Sequence, residues 1–219
     1  MKRTVALMVL AALGSVGVAQ AYEKGDFIAR AGIAWVAPND DSGNVLGADD
    51  GVTVDDAVGV GLTGSYFFSK NIAVELLGAL PFSHDIEGDG SLDGVAIGNV
   101  KQLPPTVSVQ YYFGNGDNGF HPYVGAGINY TIFFDEDVDS ELEDALGTKN
   151  VDLKLTSSVG FALQAGVDYE INENLFASAT AYYLDIDTRA DVEVEHMTAT
   201  EVDVDINPLV AMFSIGYKF

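Results

Sequence analysis

Segments of about ten residues in which apolar side chains alternate with small or polar ones recur along this chain. In the clearest of them, Leu103 to Phe113, one parity is apolar and the other carries mainly hydroxyl and amide groups. The apolar parity comprises Leu103, Pro105, Val107, Val109, Tyr111 and Phe113, and the second comprises Thr106, Ser108, Gln110 and Tyr112. Because successive side chains of a strand point to opposite faces, this alternation predicts strands with one apolar face.

Eight such segments can be counted, an even number that allows a series of hairpins to close on itself. They are Phe27–Val36, Val58–Phe68, Ile72–Leu80, Leu103–Phe113, Pro122–Phe134, Val159–Ile171, Leu175–Ile186 and Leu209–Phe219. No stretch of the sequence after residue 21 is long and apolar enough for a membrane-spanning helix. A membrane location would therefore require a closed barrel, which pairs every backbone group internally.

The connections between these segments alternate between short and long. Three are brief turns, at 68–71, 114–119 and 172–174. Between them lie long acidic stretches, at 37–57, 81–102, 135–156 and 187–207. Short turns on the periplasmic side and long external loops are typical of outer-membrane barrels. The sequence thus predicts an all-β fold, an eight-stranded antiparallel transmembrane β-barrel of the outer membrane.

A soluble barrel of the lipocalin type is the alternative with the same number of strands. Its apolar face would point inward and its exterior would be polar. Here the apolar faces carry Tyr or Phe near the segment ends, as membrane aromatic girdles do, and the opposite faces carry Gly, Ser, Thr, Gln and Asp. This distribution favours the membrane barrel.

The first 21 residues have the parts of a secretory signal peptide. A basic pair, Lys2-Arg3, precedes an apolar stretch, Val5 to Val18, and Ala19-Gln20-Ala21 matches the cleavage pattern. A membrane anchor is the alternative, but the apolar stretch is shorter than the about 20 residues needed to cross a bilayer. We therefore expect residues 1–21 to be removed and residues 22–219 to form the barrel.

The charge of the chain limits its partners. The formal net charge is −23, and without Lys2 and Arg3 the 33 acidic residues face only eight basic ones, which gives −25. Such a chain repels phosphate, so nucleic acid is not an expected partner. Because 48% of the residues are hydrophobic, disorder is excluded in spite of this charge, and a core or a membrane must cover them.

Several strings resemble the OmpW family of outer-membrane proteins. They are NIAVELL at 71–77, LPPT at 103–106, PYVGAGINY at 122–130, VDY at 167–169, YLDIDT at 183–188 and GYKF at 216–219. The resemblance covers nearly the whole of residues 22–219. It implies an eight-stranded barrel that passes small hydrophobic compounds, with AlkL-like alkane-import proteins among its relatives. The C-terminal strand, which ends in Phe213 to Phe219 with a terminal aromatic residue, also looks like the signal that the outer-membrane insertion machinery reads.

Parity and strand direction divide the inward residues into two zones. Charged and amide side chains are expected near the periplasmic end, where buried charges need partners and would form a polar plug. The plug residues are Arg30, Glu75, Gln110, Asp168, Glu170 and Lys218. Higher in the barrel, Leu77 and Tyr182 point inward, and we expect them to form a hydrophobic constriction that matching positions in the family favour. For the charged set, a structural plug that stabilises a narrow barrel is the preferred interpretation and a functional ion path is the alternative. For Leu77 and Tyr182 the alternative is ordinary packing of the lumen.

A polar plug beneath an apolar vestibule makes straight passage of an oily molecule unfavourable, so we expect lateral release into the membrane. Prolines remove backbone donors from a sheet, and Pro81, Pro104, Pro105 and Pro208 lie near strand ends, where they could open the wall or simply end a strand.

The acidic external loops could hold divalent cations beside lipopolysaccharide, or could serve only for solvation.

No catalytic motif stands out. The histidines are His84, His121 and His196, and none lies in a recognisable nucleophile motif. We expect incidental surface histidines, no enzyme activity, no cofactor and no metal site, since the chain has no cysteine and no close histidine pair.

The leading prediction is therefore an outer-membrane channel for passive passage of small hydrophobic molecules. Its expected partners are outer-membrane lipid, lipopolysaccharide, small hydrophobic solutes and the insertion machinery. The alternative, from another functional class, is a surface barrel with a closed interior that acts in envelope stability, adhesion or partner binding through its loops.

Overall fold

Eight antiparallel strands close into a barrel in the computed structural model. The model describes residues 22–39, 41–42, 52–88, 96–114, 119–140, 143, 148, 151–194 and 197–219. The expected signal peptide, residues 1–21, and His196 lie outside the described residues. The barrel strands are β1 (Phe27–Ala37), β4 (Ala57–Phe67), β5 (Ile72–Ala79), β8 (Thr106–Tyr112), β9 (Phe120–Val138), β11 (Ser158–Glu170), β12 (Leu175–Leu184) and β15 (Leu209–Lys218). The predicted fold class is confirmed.

Each barrel strand pairs with its neighbour along the chain, and the last closes on the first. The register of the closing pair sets Ile28 of β1 opposite Lys218 of β15 and Ala37 opposite Leu209. Strand β9 pairs with both β8 and β11, which completes the ring. No helix among the described residues is long and apolar enough to cross a membrane.

The long connections contain further strands, which extend the structure beyond the barrel. They are β2 (Asp41–Ser42), β3 (Val52–Val54), β6 (Phe82–Gly88), β7 (Ala96–Leu103), β10 (Val151–Leu155), β13 (Asp187–Val194) and β14 (Met197–Asp205). Strands β3, β6 and β7 join the upper part of β9, and β10, β13, β14 and β2 form a separate sheet. We call this end of the molecule the upper end, and the end with the short turns the lower end.

Burial follows the predicted parity. In β8 the side chains of Val107 and Val109 are exposed, and those of Ser108 and Gln110 are buried. Large inward side chains narrow the lumen, and glycines on neighbouring strands leave room for them, as Gly166 on β11 does for Tyr123, its partner on β9. A Cβ atom added to Gly166 would lie 2.5 Å from the Tyr123 hydroxyl oxygen, so only glycine admits the tyrosine ring at this point.

Where every residue of the break is described, breaks of two or three residues separate six barrel strands from the outer strands that continue them. They fall at 55–56, 80–81, 104–105, 156–157, 185–186 and 206–208, whereas β9 runs unbroken through both regions. The prolines predicted near strand ends, Pro81, Pro104, Pro105 and Pro208, all lie in these breaks. Because proline cannot donate to a sheet ladder, these positions suit the end of a strand.

Two apolar clusters lie inside the molecule, one at each end of the barrel lumen. The lower cluster comprises Tyr22, Ile28, Phe67, Ala73, Tyr112, Tyr123 and Phe176. The upper cluster includes Leu77, Tyr182 and Met212 and continues into the outer strands through Ile86 and Val204. Buried polar side chains, described next, lie between the two.

Candidate functional site

Arg30 is the centre of a buried polar network. It enters the lumen from β1, and its side chain is 1% exposed. On one side its Nη2 lies 2.6 Å from Oδ2 of Asp168 on β11, and its Nε donates to Oδ1 at 3.3 Å. Two parallel contacts of a guanidinium with a carboxylate form a strong and directional pair.

The other side of the guanidinium faces strands β4, β5 and β8. Its Nη1 donates to the Ser65 hydroxyl at 2.8 Å and lies 3.7 Å from Oε2 of Glu75. The Ser65 hydroxyl donates in turn to Glu75, at 3.2 Å, and Nη2 donates to the Tyr112 hydroxyl at 3.0 Å. The network therefore crosses the lumen and joins opposite walls of the barrel.

Amide and hydroxyl groups complete the network. The Ser178 hydroxyl donates to Asp168 at 2.6 Å. The Tyr112 hydroxyl donates to Gln110 at 3.3 Å, and the Gln110 amide donates to Gln164 at 3.1 Å. Buried polar groups of this kind are costly unless they are paired. The pairing explains how most of them are accommodated, whereas the buried amide nitrogen of Gln164 has no hydrogen-bond partner in the described part of the chain.

Four of the six predicted plug residues, Arg30, Glu75, Gln110 and Asp168, belong to this network. The other two, Glu170 and Lys218, are only partly buried and lie at the lower rim. Oε2 of Glu170 lies 3.6 Å from Nε2 of His121. Nζ of Lys218 lies 5.9 Å from the centre of the Phe176 ring, a cation–π distance. The structure thus separates the predicted plug into a buried network and a rim.

An apolar cavity lies above the polar network. Its volume is only about 20 Å³, room for about one water molecule, so side chains must move apart before a larger molecule can enter. Leu77 and Tyr182, the two residues of the predicted constriction, both line it. Other lining residues come from the strands and from the breaks above them, among them Ala34, Phe82, Pro104, Ile186, Pro208 and Met212.

Tyr182 connects the cavity to the network below it. Its ring lines the cavity, and its hydroxyl donates to Oε1 of Glu75 at 3.3 Å. The hydroxyl is thus paired with the network, and the cavity is left with an almost entirely apolar lining. The two zones predicted from the sequence are in direct contact at this residue.

Tyr22 is a buried residue of this region that sequence reasoning did not single out. Its hydroxyl donates to Oδ2 of Asp168 at 2.8 Å, and its ring stacks on Phe67 with 4.3 Å between ring centres. It precedes β1 and lies in no alternating segment, so parity gave no sign of it. The proximity of an aromatic residue to the expected cleavage site was the available signal.

His84, expected to be an incidental surface histidine, is instead 2% exposed. Its Nδ1 bonds to the backbone carbonyl of Asp55 at 2.8 Å, and the Gln102 amide lies 2.8 Å from its Nε2. The ring is therefore neutral, donating from Nδ1 and accepting at Nε2. Burial lowers the pKa of His84 below its usual value, against the opposing effect of the nearby Asp55, Asp56 and Asp85. His121 is also buried, which corrects the same expectation.

Both histidines contact polar groups of neighbouring elements. His84 bonds to a carbonyl and an amide, and His121 faces the carboxylate of Glu170. Among the described residues, no group of three or more His, Cys, Asp and Glu side chains is arranged to hold a metal ion. The features that distinguish this interior are therefore the polar network and the cavity above it.

Comparison with known proteins places the chain in a family. The model of the OmpW family matches residues 23–219. Outer membrane protein W of Vibrio cholerae is 47% identical over the full length of both chains. The crystal structure of the outer membrane protein OprG from Pseudomonas aeruginosa superposes with a TM-score of 0.83 at 41% identity, covering 91% of this chain and 98% of that one.

A more distant relative is named for a metabolic operon. The dibenzothiophene metabolism operon protein PahQ of Pseudomonas aeruginosa is 27% identical, over 70% of this chain and 68% of its own length. The family match, the named relatives and the superposed barrel all indicate the same location, the outer membrane of Gram-negative bacteria. The exposed apolar side chains of the barrel strands therefore contact outer-membrane lipid. This chain belongs to the OmpW family of outer-membrane proteins.

Proposed function

We propose that this protein is a channel through which small hydrophobic molecules pass without energy input, leaving the barrel sideways into the membrane. The observation that carries the proposal is the apolar cavity at the upper end of the barrel, directly above the polar network. The free energy of an apolar molecule falls when it moves from water into such apolar surroundings. Leu77 and Tyr182 form its constriction in this proposal.

The polar network below the cavity makes passage along the barrel axis unfavourable for an oily molecule. An apolar solute that displaced the Arg30–Asp168 contact would leave both charges without their partners. Separating a buried ion pair in this way costs several kcal/mol, about 3–5 for the loss of one partner. The molecule must therefore leave the cavity by another route.

The breaks in the strands support a route through the wall. Pro104, Ile186 and Pro208 lie in three different breaks and line the same cavity, so these breaks lie at one level. Backbone groups in a break are not held by continuous ladder bonds, and proline offers no donor. Some bonds do cross the breaks, among them those from the Tyr130 N–H to the Pro105 carbonyl at 2.9 Å and from the Leu184 N–H to the Pro208 carbonyl at 3.2 Å, and release through the wall would have to separate such bonds.

The name of one relative points in the same direction. PahQ is named for dibenzothiophene metabolism, and dibenzothiophene is an apolar aromatic molecule. We extend from that name only the class of solute, a small and mainly apolar compound, to the cavity of this chain.

Uptake of a labelled hydrophobic probe by cells that carry variants tests the constriction. Leu77→Ala and Tyr182→Ala widen the cavity and should change the initial rate of uptake by about threefold or more, since each removes a side chain at the proposed constriction. Leu76→Ala is the matched control, because Leu76 is the neighbouring residue but faces the lipid and is 56% exposed. Unchanged uptake in both Leu77→Ala and Tyr182→Ala would contradict the proposed constriction.

A surface role is the second candidate, and the outer strands favour it. Strands β13 and β14 pair along most of their length and carry acidic side chains such as Glu193 and Asp203 outside the barrel. Such a structure suits adhesion or the binding of a partner. Removing residues 188–204 and closing the gap with a short turn distinguishes the two candidates. If the cavity is the functional part, hydrophobic uptake should persist in this variant. If the outer strands are the functional part, adhesion or partner binding should be lost instead.

A further inference from the structure

We propose that Tyr22 determines the specificity of the barrel against water-soluble solutes, because its ring seals the lower end of the lumen. This role goes beyond hydrophobic uptake, which uses the upper cavity and the wall. The lumen is the direct path between the two sides of the membrane, so closing it decides what the barrel excludes.

Tyr22 does not belong to the wall of the barrel. Strand β1 begins at Phe27, and Tyr22 takes part in no strand pairing. Its side chain is nevertheless only 2% exposed, in the middle of the lower apolar cluster. A side chain that comes from outside the wall and is buried inside the lumen can occlude it, and we call the Tyr22 side chain in this position the stopper.

The segment 22–26 is anchored so that this insertion is maintained. Gly25 has a φ of 103°, and its N–H donates to the carbonyl of Phe67 at 2.8 Å. The N–H of Phe67 donates back to the carbonyl of Asp26 at 2.9 Å. The side chain of Asp26 accepts from the N–H of Glu23, also at 2.9 Å, which closes the turn. The segment is thereby fixed to the lower end of β4.

The contacts of Tyr22 come from all around the barrel. Its ring contacts rings on β4, β8, β9 and β12, with 4.3 to 5.8 Å between ring centres, and its hydroxyl reaches Asp168 on β11. The four ring partners are Phe67, Tyr112, His121 and Phe176. Five of the eight barrel strands therefore contribute to the site, which places the ring across the lumen and not against one side.

The chemistry of the stopper suits the exclusion of ions and polar solutes. An ion that enters at the lower rim must shed its hydration before it meets the ring, and the ring offers no charge in return. The single polar atom of the side chain, the hydroxyl oxygen, is already bonded to Asp168. Aromatic rings packed edge to face or offset leave little space between them.

Thiol labelling tests the seal directly, because the chain has no cysteine of its own. Ala73 lies in the lower cluster and is 0% exposed, so Ala73→Cys, which adds one sulfur atom, is a small reporter there. The protein is isolated from outer membranes, placed in lipid nanodiscs and treated with a small charged methanethiosulfonate. We expect slow labelling with Tyr22 and with Tyr22→Phe. With Tyr22→Gly, labelling should be at least about tenfold faster, since the aromatic contacts are lost.

A second variant and a second reporter keep the test decisive. Gly25→Val retains Tyr22 but places a β-branched residue at a φ of 103°, so it should release the segment and also speed labelling. Ala34→Cys, in the upper cluster, should be unaffected by either change. Intact mass and heat-dependent gel migration verify that all variants have the same N-terminus and are folded.

Equal labelling of Ala73→Cys in the wild type, Tyr22→Gly and Gly25→Val backgrounds would overturn the seal. Equal acceleration of Ala73→Cys and Ala34→Cys would also overturn it, because the whole barrel would then have loosened. Neither result bears on hydrophobic uptake through the upper cavity, which the Leu77 and Tyr182 variants test separately.

Discussion

Arg30 is the cation of the lumen network and lies between two carboxylates, Asp168 and Glu75. Arg30→Met would leave both carboxylates buried without it. Loss of one partner from a buried pair costs about 3–5 kcal/mol, so we expect a decrease of that size in the free energy of unfolding. Urea unfolding of the protein in lipid vesicles measures it.

The exposed ion pair of Lys101 with Asp135 provides the matched control. Its side chains are 44% and 60% exposed, and pairs of this kind contribute about 0–1 kcal/mol. Lys101→Met removes a cation of similar length and should change the free energy of unfolding by less than about 1 kcal/mol. Equal losses in Arg30→Met and Lys101→Met would contradict the structural role of the network.

At the scale of single residues, parity predicts which way a side chain points better than it predicts which residues that side chain contacts. The alternation placed Arg30, Glu75, Gln110 and Asp168 in the lumen because strand side chains alternate strictly. It could not reveal Tyr22, whose position depends on a turn before the first strand. Nor could it reveal which of several lumen acids would face Arg30, because that depends on register across the barrel.

At the scale of the strands, His84 connects three elements above the membrane. It lies in β6 and bonds to Asp55 in the break before β4 and to Gln102 in β7. Because burial lowers its pKa in the folded state, His84 favours folding while it is neutral. That contribution is present above the unfolded value of 6.5 and is lost as the pH falls through the lower folded value.

We expect an NMR titration of His84 to give a midpoint below 6.5, the ordinary value. The protection factors of the β6 amides, which correct hydrogen exchange for its intrinsic pH dependence, should fall as the pH falls below that midpoint, and by more than those of β8. His84→Gln, which keeps a polar side chain of similar reach, should remove this excess. A midpoint at or above 6.5 would show that the nearby acids outweigh burial.

The eight barrel segments could be predicted because one face of each meets lipid, which makes the alternation strong. The outer strands were harder to predict. Their acidic and glycine-rich composition resembles that of loops, and the breaks interrupt the period at the level of the cavity. Strand β9 shows the effect most clearly, since it continues for 19 residues where a shorter segment and a loop were expected.

At the scale of the whole molecule, three layers follow one another along the barrel axis. A sealed lower end is followed by the charged network, and the network by an apolar cavity with breaks in its wall. The sequence predicted the order of network and cavity from strand direction. It could not predict the cavity's volume or its contact with Glu75 through Tyr182, because both depend on how side chains from opposite walls meet.

Uptake of a labelled hydrophobic compound by cells with and without the protein tests the central claim most directly. We expect the initial rate to rise several-fold, about three or more, when the protein is present, since a channel bypasses the polar surface of the outer membrane. A water-soluble compound of the same size should enter at the same rate in both strains. Equal uptake of the hydrophobic compound in both strains would contradict the channel and favour the surface role.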